Sequence, residues 1–300
     1  MIADSELTAL CSRLARALAP PHERYRPLRV EESDVGWLDD ARATRLARAT
    51  DVFDVREDSV RFVASLDDET SRSAAIDRVA RELAVAGELS AWRDERYAVA
   101  PGLGAAPWFL LERAAARYFG IQTYAAHVNG VVQASEGVRM WLARRSPAKS
   151  IDPGMLDNLV GGGIAVGQTI EATVIKEAWE EAAVPAPLAR LAHPAGTVEI
   201  CREQPDGLQR ETIFVHDLWL PEGFTPAGQD GEVVDHRLVT LAEATRLIAE
   251  DEGSNATTAD ASLVILDFLI RHGRIEPDAP EYEALDALRH PTACLTPSAA

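Results

Sequence analysis

The sequence predicts an α+β fold in two domains, a smaller α+β domain over residues 1–120 and a larger domain over residues 121–300. Three observations lead to this prediction. The first part of the 300-residue chain mixes helical periodicity with short β-branched runs, whereas strand patterns dominate from residue 121 onward. A loop-like stretch of glycine, alanine and proline at residues 100–107 precedes this change. Strands and helices then follow each other in a mixed order and not as a repeating βαβ unit.

The first domain opens with a predicted helix whose apolar stripe ends before Pro20. Two short β-branched runs, residues 52–55 and 60–63, predict strands. A second helix is expected to end near Gly87, and a short helical segment is expected around residues 112–119. No residue pattern in these elements indicates a catalytic or ligand-binding site.

The second domain is predicted to begin with a β-hairpin. Residues 122–128 form a strand pattern, the pair Asn129-Gly130 suits a type I′ turn, and Val131 starts the returning strand. The elements expected after this hairpin are strands at 138–142 and 156–160, a run of glycines at 161–163, a helix at about 170–182, strands at 198–202 and 212–218 across Asp206-Gly207, a strand near 233–238, a helix opened by a capping box from Thr240 to Glu243, and a helix at about 258–272 ended by Gly273.

Composition limits the function. With 48 acidic against 30 basic side chains the formal charge is −18, which repels phosphate backbones and anionic lipid, so nucleic-acid binding by bulk charge is excluded. An anionic small substrate would need a local cation, and a metal ion is the expected one. Three widely spaced cysteines argue against a disulfide framework or a structural zinc site. The sequence shows no secretion-signal pattern and no apolar run of membrane-spanning length, so we expect a cytoplasmic protein without membrane contacts.

The chemistry is expected at Glu177, Glu180 and Glu181. On a helix these residues are spaced i, i+3 and i+4, so their carboxylates project from one face within one turn. No run of basic residues adjoins them, and a divalent cation, Mg²⁺ or Mn²⁺, would relieve their repulsion. The alternative is a solvated acidic helix face. The preceding glycine run favours the metal site, because it allows close backbone approach and offers a carbonyl, for which Gly163 is the candidate.

This segment resembles the Nudix box. The box is a glycine, five residues, Glu, seven residues, Arg-Glu, an aliphatic residue, any residue, Glu-Glu, any residue, Gly and an aliphatic residue. With Gly162 as the first glycine, the three glutamates occupy the metal-binding positions of the family. Three positions depart from the pattern: Gln168 stands where the first Glu is usual, Lys176 replaces the Arg, and Ala183 replaces the last Gly. Lys176 keeps the positive charge but not the planar fork of an arginine.

Segments outside the box are similar to a Nudix subgroup related to fungal thiamine pyrophosphokinases. The subgroup carries an N-terminal domain of unknown function before its Nudix domain, and its members hydrolyse damaged oxo and oxy analogues of thiamine diphosphate to the monophosphate. The resemblance therefore implies an α/β/α Nudix sandwich with a mixed sheet. The similar segments are residues 92–97, 112–115, 127–130, 142–146, 152–158 and 229–233.

The resemblance also implies roles for individual residues. Glu177, Glu180 and Glu181 would bind Mg²⁺, and Glu180 or another box glutamate would act as the base. Glu232 is a second candidate for base or ligand, and its alternative is a turn carboxylate. Lys176 would orient Glu177. Lesser candidates, each with a surface or packing role as its alternative, are Arg144, Arg145 and Arg210 for phosphate and His127 and His216 for catalysis.

The primary hypothesis is a Mg²⁺-dependent pyrophosphohydrolase that cleaves a diphosphate linkage in a small molecule, with a thiamine diphosphate analogue as the first candidate. Hydrolysis of ADP-ribose or of a nucleotide sugar is an alternative within the same enzyme class. A non-catalytic Nudix-fold binding or regulatory module is an alternative from another class, motivated by Gln168 and Lys176. The oligomeric state is left open.

Overall fold

The computed structural model of the chain describes residues 2–22, 24–251, 253, 255–291 and 295. The helices are α1 (Asp4–Ala17), α2 (Asp40–Leu46), α3 (Glu69–Val85), α4 (Ile170–Ala182), α5 (Ala186–Ala189), α6 (Leu241–Leu247), α7 (Ala259–Arg271) and α8 (Tyr282–Leu288). The strands are β1 (Tyr25–Val30), β2 (Ser33–Asp39), β3 (Phe53–Val55), β4 (Val60–Phe62), β5 (Arg96–Val99), β6 (Phe109–Glu112), β7 (Gln122–Ala134), β8 (Gly137–Arg145), β9 (Leu156–Asn158), β10 (Val160–Gly163), β11 (His193–Gln204), β12 (Gly207–Trp219) and β13 (Val233–Thr240).

The larger sheet is mixed and is covered by helices on both faces. Its strand order is β11-β12-β7-β8-β13, with β10 paired to β7 and β9 to β8. Strands β12 and β7 run parallel, and the other pairs are antiparallel. One face packs on α4 through Val128 and Ala178, and the other packs on α7 through Ile213 and Leu266. This arrangement confirms the predicted α/β/α sandwich.

The predicted turn at Asn129-Gly130 is wrong. Both residues lie inside β7, which continues to Ala134 before it turns back into β8. Asn129 is fully buried, and its side-chain amide donates to Asp217 Oδ1 of the neighbouring strand at 3.1 Å. A Cβ on Gly130 would overlap the side chain of Leu159. The Asn-Gly pair therefore serves packing inside the sheet, and tertiary contacts override its local turn preference.

Two local predictions in the second domain have different outcomes. Helix α4 covers residues 170–182 as expected, because a Thr169 side chain caps its first turn by accepting from Ala172 N at 3.1 Å. The capping box at Thr240 is only half formed: Thr240 Oγ1 accepts from Glu243 N, whereas the Glu243 carboxylate pairs with Arg237.

The first domain contains a sheet of order β2-β1-β4-β3, helix α3 and the hairpin β5-β6. Strands β1 and β2 and helix α2 were not predicted, because arginines interrupt the apolar alternation of β1. The helix expected at residues 112–119 is reduced to a 3-10 turn over Arg113–Ala115.

Helix α1 belongs by sequence to the first domain but packs against the second. Leu7, Leu10 and Leu14 lie in the same buried cluster as α6, α7 and α8. The domains also share backbone hydrogen bonds, including one from Val166 N to the Arg96 carbonyl at 2.9 Å. The domain boundary near residue 120 stays a proposal. Helix α1 precedes this boundary in the chain but packs on the second domain.

Cys11 is a free thiol and Cys201 is disulfide-bonded. Cys294, the third cysteine, lies outside the described residues. Within the part of the chain that the structure describes, no helix is long and apolar enough to cross a membrane.

Candidate active site

The predicted carboxylates lie where helix α4 meets the glycine strand β10. The buried side of α4, with Val174, Ala178 and Ala182, faces the sheet, as its apolar pattern predicted. The helix register then directs Glu177 and Glu181 toward β10. Two of the three predicted glutamates, Glu177 and Glu181, are therefore brought against the predicted glycine run.

The glycines of β10 allow this close approach. A Cβ on Gly162 would overlap the Glu177 side chain, and a Cβ on Gly163 would overlap the hydroxyl of Tyr97. A Cβ on Gly161 would lie 3.0 Å from the His127 ring. Each glycine thus faces a different polar side chain, and a larger residue at Gly162 would displace a predicted metal ligand.

Glu181 is the most buried of the three glutamates, at 5% exposure. Its Oε2 accepts a hydrogen bond from the Gly161 backbone N–H at 2.8 Å. Burial raises the pKa of Glu181 to about 8, against the opposing influence of Lys149.

Lys176 relieves part of the repulsion among the three glutamates, a role that was expected of a metal ion. Its Nζ lies 2.9 Å from Glu177 Oε1 and 2.9 Å from Glu180 Oε2. The sequence has no run of basic residues beside the trio, but the single Lys176 reaches two of the three carboxylates because its stem folds across its own helix turn. Burial alone would lower the pKa of Lys176, but hydrogen bonds to the two glutamates outweigh it and raise the pKa.

A divalent cation is compatible with the donors present at this site. Carboxylate oxygens of Glu177, Glu180 and Glu181 and the Gly163 carbonyl form the hard oxygen set that Mg²⁺ prefers. Glu181 in particular is a buried carboxyl group whose ionised form a cation would stabilise. Among the described residues no group of three His, Cys, Asp or Glu side chains is already converged for metal binding. The Lys176 ammonium lies between Glu177 and Glu180, so a metal would have to displace it.

Glu232 reaches the same cleft, where it forms ion pairs with two cations. Its Oε1 accepts from Arg93 Nη1 at 2.7 Å, and its Oε2 pairs with Lys149. Burial opposes ionisation, but these two cations lower the pKa of Glu232 to about 2. The structure thus places this predicted base or ligand in an ion-paired bridge.

The cleft around these residues has a volume of about 240 Å³ and is lined by both domains. The first domain contributes Arg93, Tyr97 and Arg113. Residue-by-residue reasoning did not single out these side chains, although they lie in segments 92–97 and 112–115, where the chain resembles the thiamine-related subgroup. That resemblance was the available signal. The deeper wall of the cleft includes His127, Asp157, Gln209, Glu211 and Asp260.

The lesser phosphate candidates differ in their contacts. Arg145 pairs with Asp157 at 2.7 Å and also donates to backbone carbonyls, and Arg144 donates to Gly154 O and to Asn255. Arg210 lines the cleft, and its buried Nε has no hydrogen-bond partner among the described residues.

The two histidine candidates have packing contacts. His127 lines the cleft, and its Nδ1 lies 2.8 Å from Asn158 Oδ1. His216 is buried, with Nδ1 3.2 Å from the Phe214 carbonyl. Neither contact places a histidine beside a nucleophile.

Two positions that depart from the box pattern have contrasting environments. Gln168 is exposed and is not among the residues that line the cleft. Ala183 follows α4 with φ at 51°, in the left-handed region that favours glycine.

Comparison with known proteins supports the resemblance to the Nudix family. Residues 7–123 match a family described as a domain of unknown function, DUF4743, and residues 123–260 match the family described as the NUDIX domain. Nudix hydrolase 24, chloroplastic, of Arabidopsis thaliana is 36% identical and covers 85% of this chain and 70% of its own length. Nudix hydrolase 20, chloroplastic, of the same plant is 33% identical over 93% of this chain and 76% of its own. A crystal structure of a Deinococcus radiodurans protein is 28% identical, covers 47% of this chain and 80% of that chain, and has a TM-score of 0.35.

Proposed function

The chain belongs to the Nudix hydrolase family, and we propose that it is a Mg²⁺-dependent pyrophosphohydrolase that cleaves the diphosphate linkage of a small molecule. The observation that carries the proposal is the contact between the α4 glutamates and the β10 glycines. Glu181 accepts from Gly161 N–H, and the Glu177 side chain fills the space beside Gly162. This juxtaposition gathers hard oxygen donors at a backbone that a phosphate can approach.

In this proposal Glu177, Glu180 and Glu181, with the Gly163 carbonyl, would hold the divalent cation. When bound, such a cation neutralises charge on diphosphate oxygens and lowers the pKa of a coordinated water. Glu180, the most exposed of the three at 34%, is the candidate base that accepts the proton of the attacking water. Before the cation binds, Lys176 orients Glu177 and Glu180 through its two 2.9 Å contacts, and the cation would take its place between them.

The substrate proposed first is an oxo or oxy analogue of thiamine diphosphate, converted to its monophosphate. Its support is the similarity of segments such as 92–97 and 229–233 to the thiamine pyrophosphokinase-related subgroup, both of which contribute residues to the cleft. ADP-ribose and nucleotide sugars are the alternatives, since each also carries a diphosphate linkage.

The test is phosphate or monophosphate release from a panel of diphosphates that includes thiamine diphosphate, its oxidised analogues, ADP-ribose and a nucleotide sugar. Each is assayed with Mg²⁺, with Mn²⁺ and with excess EDTA. We expect turnover that requires the metal and is abolished by Glu181→Gln, with an unchanged melting temperature. The amide can still accept from Gly161 N–H, so the variant should fold. A folded protein that hydrolyses no member of the panel would contradict the enzyme proposal. Ligand binding unchanged by EDTA would then favour a non-catalytic module.

A cytoplasmic location is also part of the proposal. It rests on the sequence alone, and the names of the two Arabidopsis relatives include the word chloroplastic. Fractionation of cells that express a tagged chain tests it: enrichment in an organelle would contradict the proposal.

A further inference from the structure

We infer that Arg93 of the first domain and Lys149 of the second bind phosphate oxygens of the substrate, and that Glu232 positions both cations instead of serving as the base. This inference rests on the proposed function, because it names residues that would recognise the diphosphate. It also gives the first domain a role in the active site.

The three side chains form one bridge across the domain boundary. Glu232 uses a different carboxylate oxygen for each cation, Oε1 for Arg93 and Oε2 for Lys149. All three residues line the cleft. Arg93 is 37% exposed at its side chain, so its guanidinium can add a contact to a ligand without leaving Glu232. A guanidinium has five N–H donors, and one of them is used in this bridge.

Main-chain hydrogen bonds anchor two of the three residues of the bridge, Arg93 and Glu232. The Arg93 backbone N–H donates to Glu112 Oε1 at 3.1 Å, and Glu112 is only 2% exposed. The Glu232 carbonyl accepts from Ser146 N at 2.8 Å. The preceding loop is tied to the catalytic helix, because Gln229 N donates to the Glu180 carbonyl at 2.7 Å. The cations are therefore held at a defined distance from α4 before substrate arrives, which reduces the entropic cost of binding.

Charge balance favours an anionic ligand at this bridge. The other cations considered near the glutamates have their own carboxylates: Lys176 pairs with Glu177 and Glu180, Arg113 with Glu95, and Arg145 with Asp157. In contrast, Arg93 and Lys149 share the single carboxylate of Glu232. These pairs use one N–H donor of each cation, so the remaining donors of Arg93 and Lys149 can contact phosphate oxygens.

Lys149 lines the same cleft as Glu177 and Glu180 of the proposed metal site. Phosphate oxygens held by Lys149 would therefore share this cleft with these two glutamates. This placement suits a diphosphate that contacts Arg93 and Lys149 on one side and the proposed metal site on the other.

Calorimetric titration with methylenediphosphonate, a non-hydrolysable diphosphate, in Mg²⁺ buffer tests the inference on the full chain. Arg93→Gln and Lys149→Gln should each weaken binding about tenfold, the loss of one charge-assisted hydrogen bond. Arg96→Gln is the matched control: Arg96 lies three residues away, is 47% exposed at its side chain, contacts Asp77 at 3.8 Å and does not line the cleft. The affinity of Arg96→Gln for methylenediphosphonate should match that of the wild type. Thermal melts confirm that each variant is folded.

Glu232→Gln separates positioning from base catalysis. If Glu232 positions the cations, this variant raises KM and leaves the pH profile of kcat unchanged. Combined with Arg93→Gln, it raises KM little beyond the value of the single Arg93→Gln variant. Loss of the acidic limb of kcat with unchanged methylenediphosphonate binding would identify Glu232 as the base and overturn the inference.

The binding measurement tests the bridge, and the turnover measurement tests the proposed function. Wild-type turnover together with unchanged binding in Arg93→Gln and Lys149→Gln would overturn the bridge and leave the proposed function intact. Absence of turnover together with Arg93-dependent binding would support the bridge and contradict the hydrolase proposal. If the wild type does not bind methylenediphosphonate, the bridge is overturned.

Discussion

The hydroxyl of Tyr97 lies against the backbone of Gly163, so a residue of the first domain packs on the glycine strand of the second. Tyr97 is 7% exposed. The contact leaves no space for a Cβ at Gly163, and the first domain therefore forms part of the wall that supports β10.

Gly163→Ala should destabilise the protein by about 1–3 kcal/mol, the usual cost of overpacking, and lower kcat/KM. Tyr97→Phe should restore most of the loss in the double variant, because the next nearest ring atom, Cζ, lies 3.2 Å from the added Cβ. Urea unfolding and kinetics measure both effects. Gly102→Ala is the control, since nothing lies within 4 Å of its Cβ position. Equal losses in the single and double variants would contradict the Tyr97 contact.

Gln168→Glu should change kcat/KM by no more than about twofold, as expected for an exposed substitution. The residue does not line the cleft, so restoring the carboxylate of the box pattern adds no ligand there. Lys176→Gln, in contrast, should lower kcat/KM by about 10–100-fold, because Glu177 and Glu180 lose the ammonium that orients them before the metal binds. A large gain in Gln168→Glu would show that this position contacts the reaction.

Ala183→Gly should stabilise the protein by about 1 kcal/mol, because Ala183 has a left-handed φ of 51° at the end of α4. The flanking hydrogen bonds, Ala183 N to Trp179 O and Val184 N to Ala178 O, are kept in the variant. Ala182→Gly, inside the helix, should have the opposite sign. Urea denaturation measures both changes, and destabilisation by Ala183→Gly would refute this account of the helix end.

Asp217→Asn should cost about 3 kcal/mol of stability at pH 7, because it breaks a buried ion pair. Asp217 accepts from Arg271 at 2.7 and 3.0 Å and from Asn129 at 3.1 Å. Burial opposes ionisation, but these hydrogen bonds lower the pKa of Asp217 below its ordinary value. The stabilisation is therefore present above the unfolded pKa of about 4 and is lost as the pH falls through the lower folded value.

Urea melts between pH 7 and pH 2.5 measure this dependence. The difference between wild type and Asp217→Asn should shrink on acidification. Asp235→Asn, at an exposed position of β13, is the control and should leave the curve unchanged. A wild-type advantage that is constant with pH would contradict the role of the Asp217 charge.

Local patterns predicted helix α4, which carries the three glutamates, well. Helix α4 was predicted over its full length because periodicity and the Thr169 cap act within a few residues. The Asn129-Gly130 turn failed for the converse reason: burial of Asn129 against Asp217 is a contact between distant strands, which a local pattern does not contain.

The first-domain wall of the cleft was beyond pattern reasoning. Arg93 and Tyr97 reach the site through tertiary packing of β5 and its preceding loop, and neither belongs to a local motif with known chemistry. A contact of Lys176 with Glu177 was expected, but its second contact, with Glu180, was not, because side-chain conformation decides whether a lysine lies on or away from its neighbours.

The central claim is that the α4 glutamates hold a divalent cation against a diphosphate. The most direct measurement is anomalous diffraction from crystals soaked with Mn²⁺ and methylenediphosphonate. The account predicts an anomalous peak coordinated by Glu177 and Glu181, with diphosphonate oxygens bound to it and the Lys176 ammonium displaced from between Glu177 and Glu180. A well-ordered site in which Lys176 keeps both contacts and no anomalous peak lies beside the glutamates would contradict it.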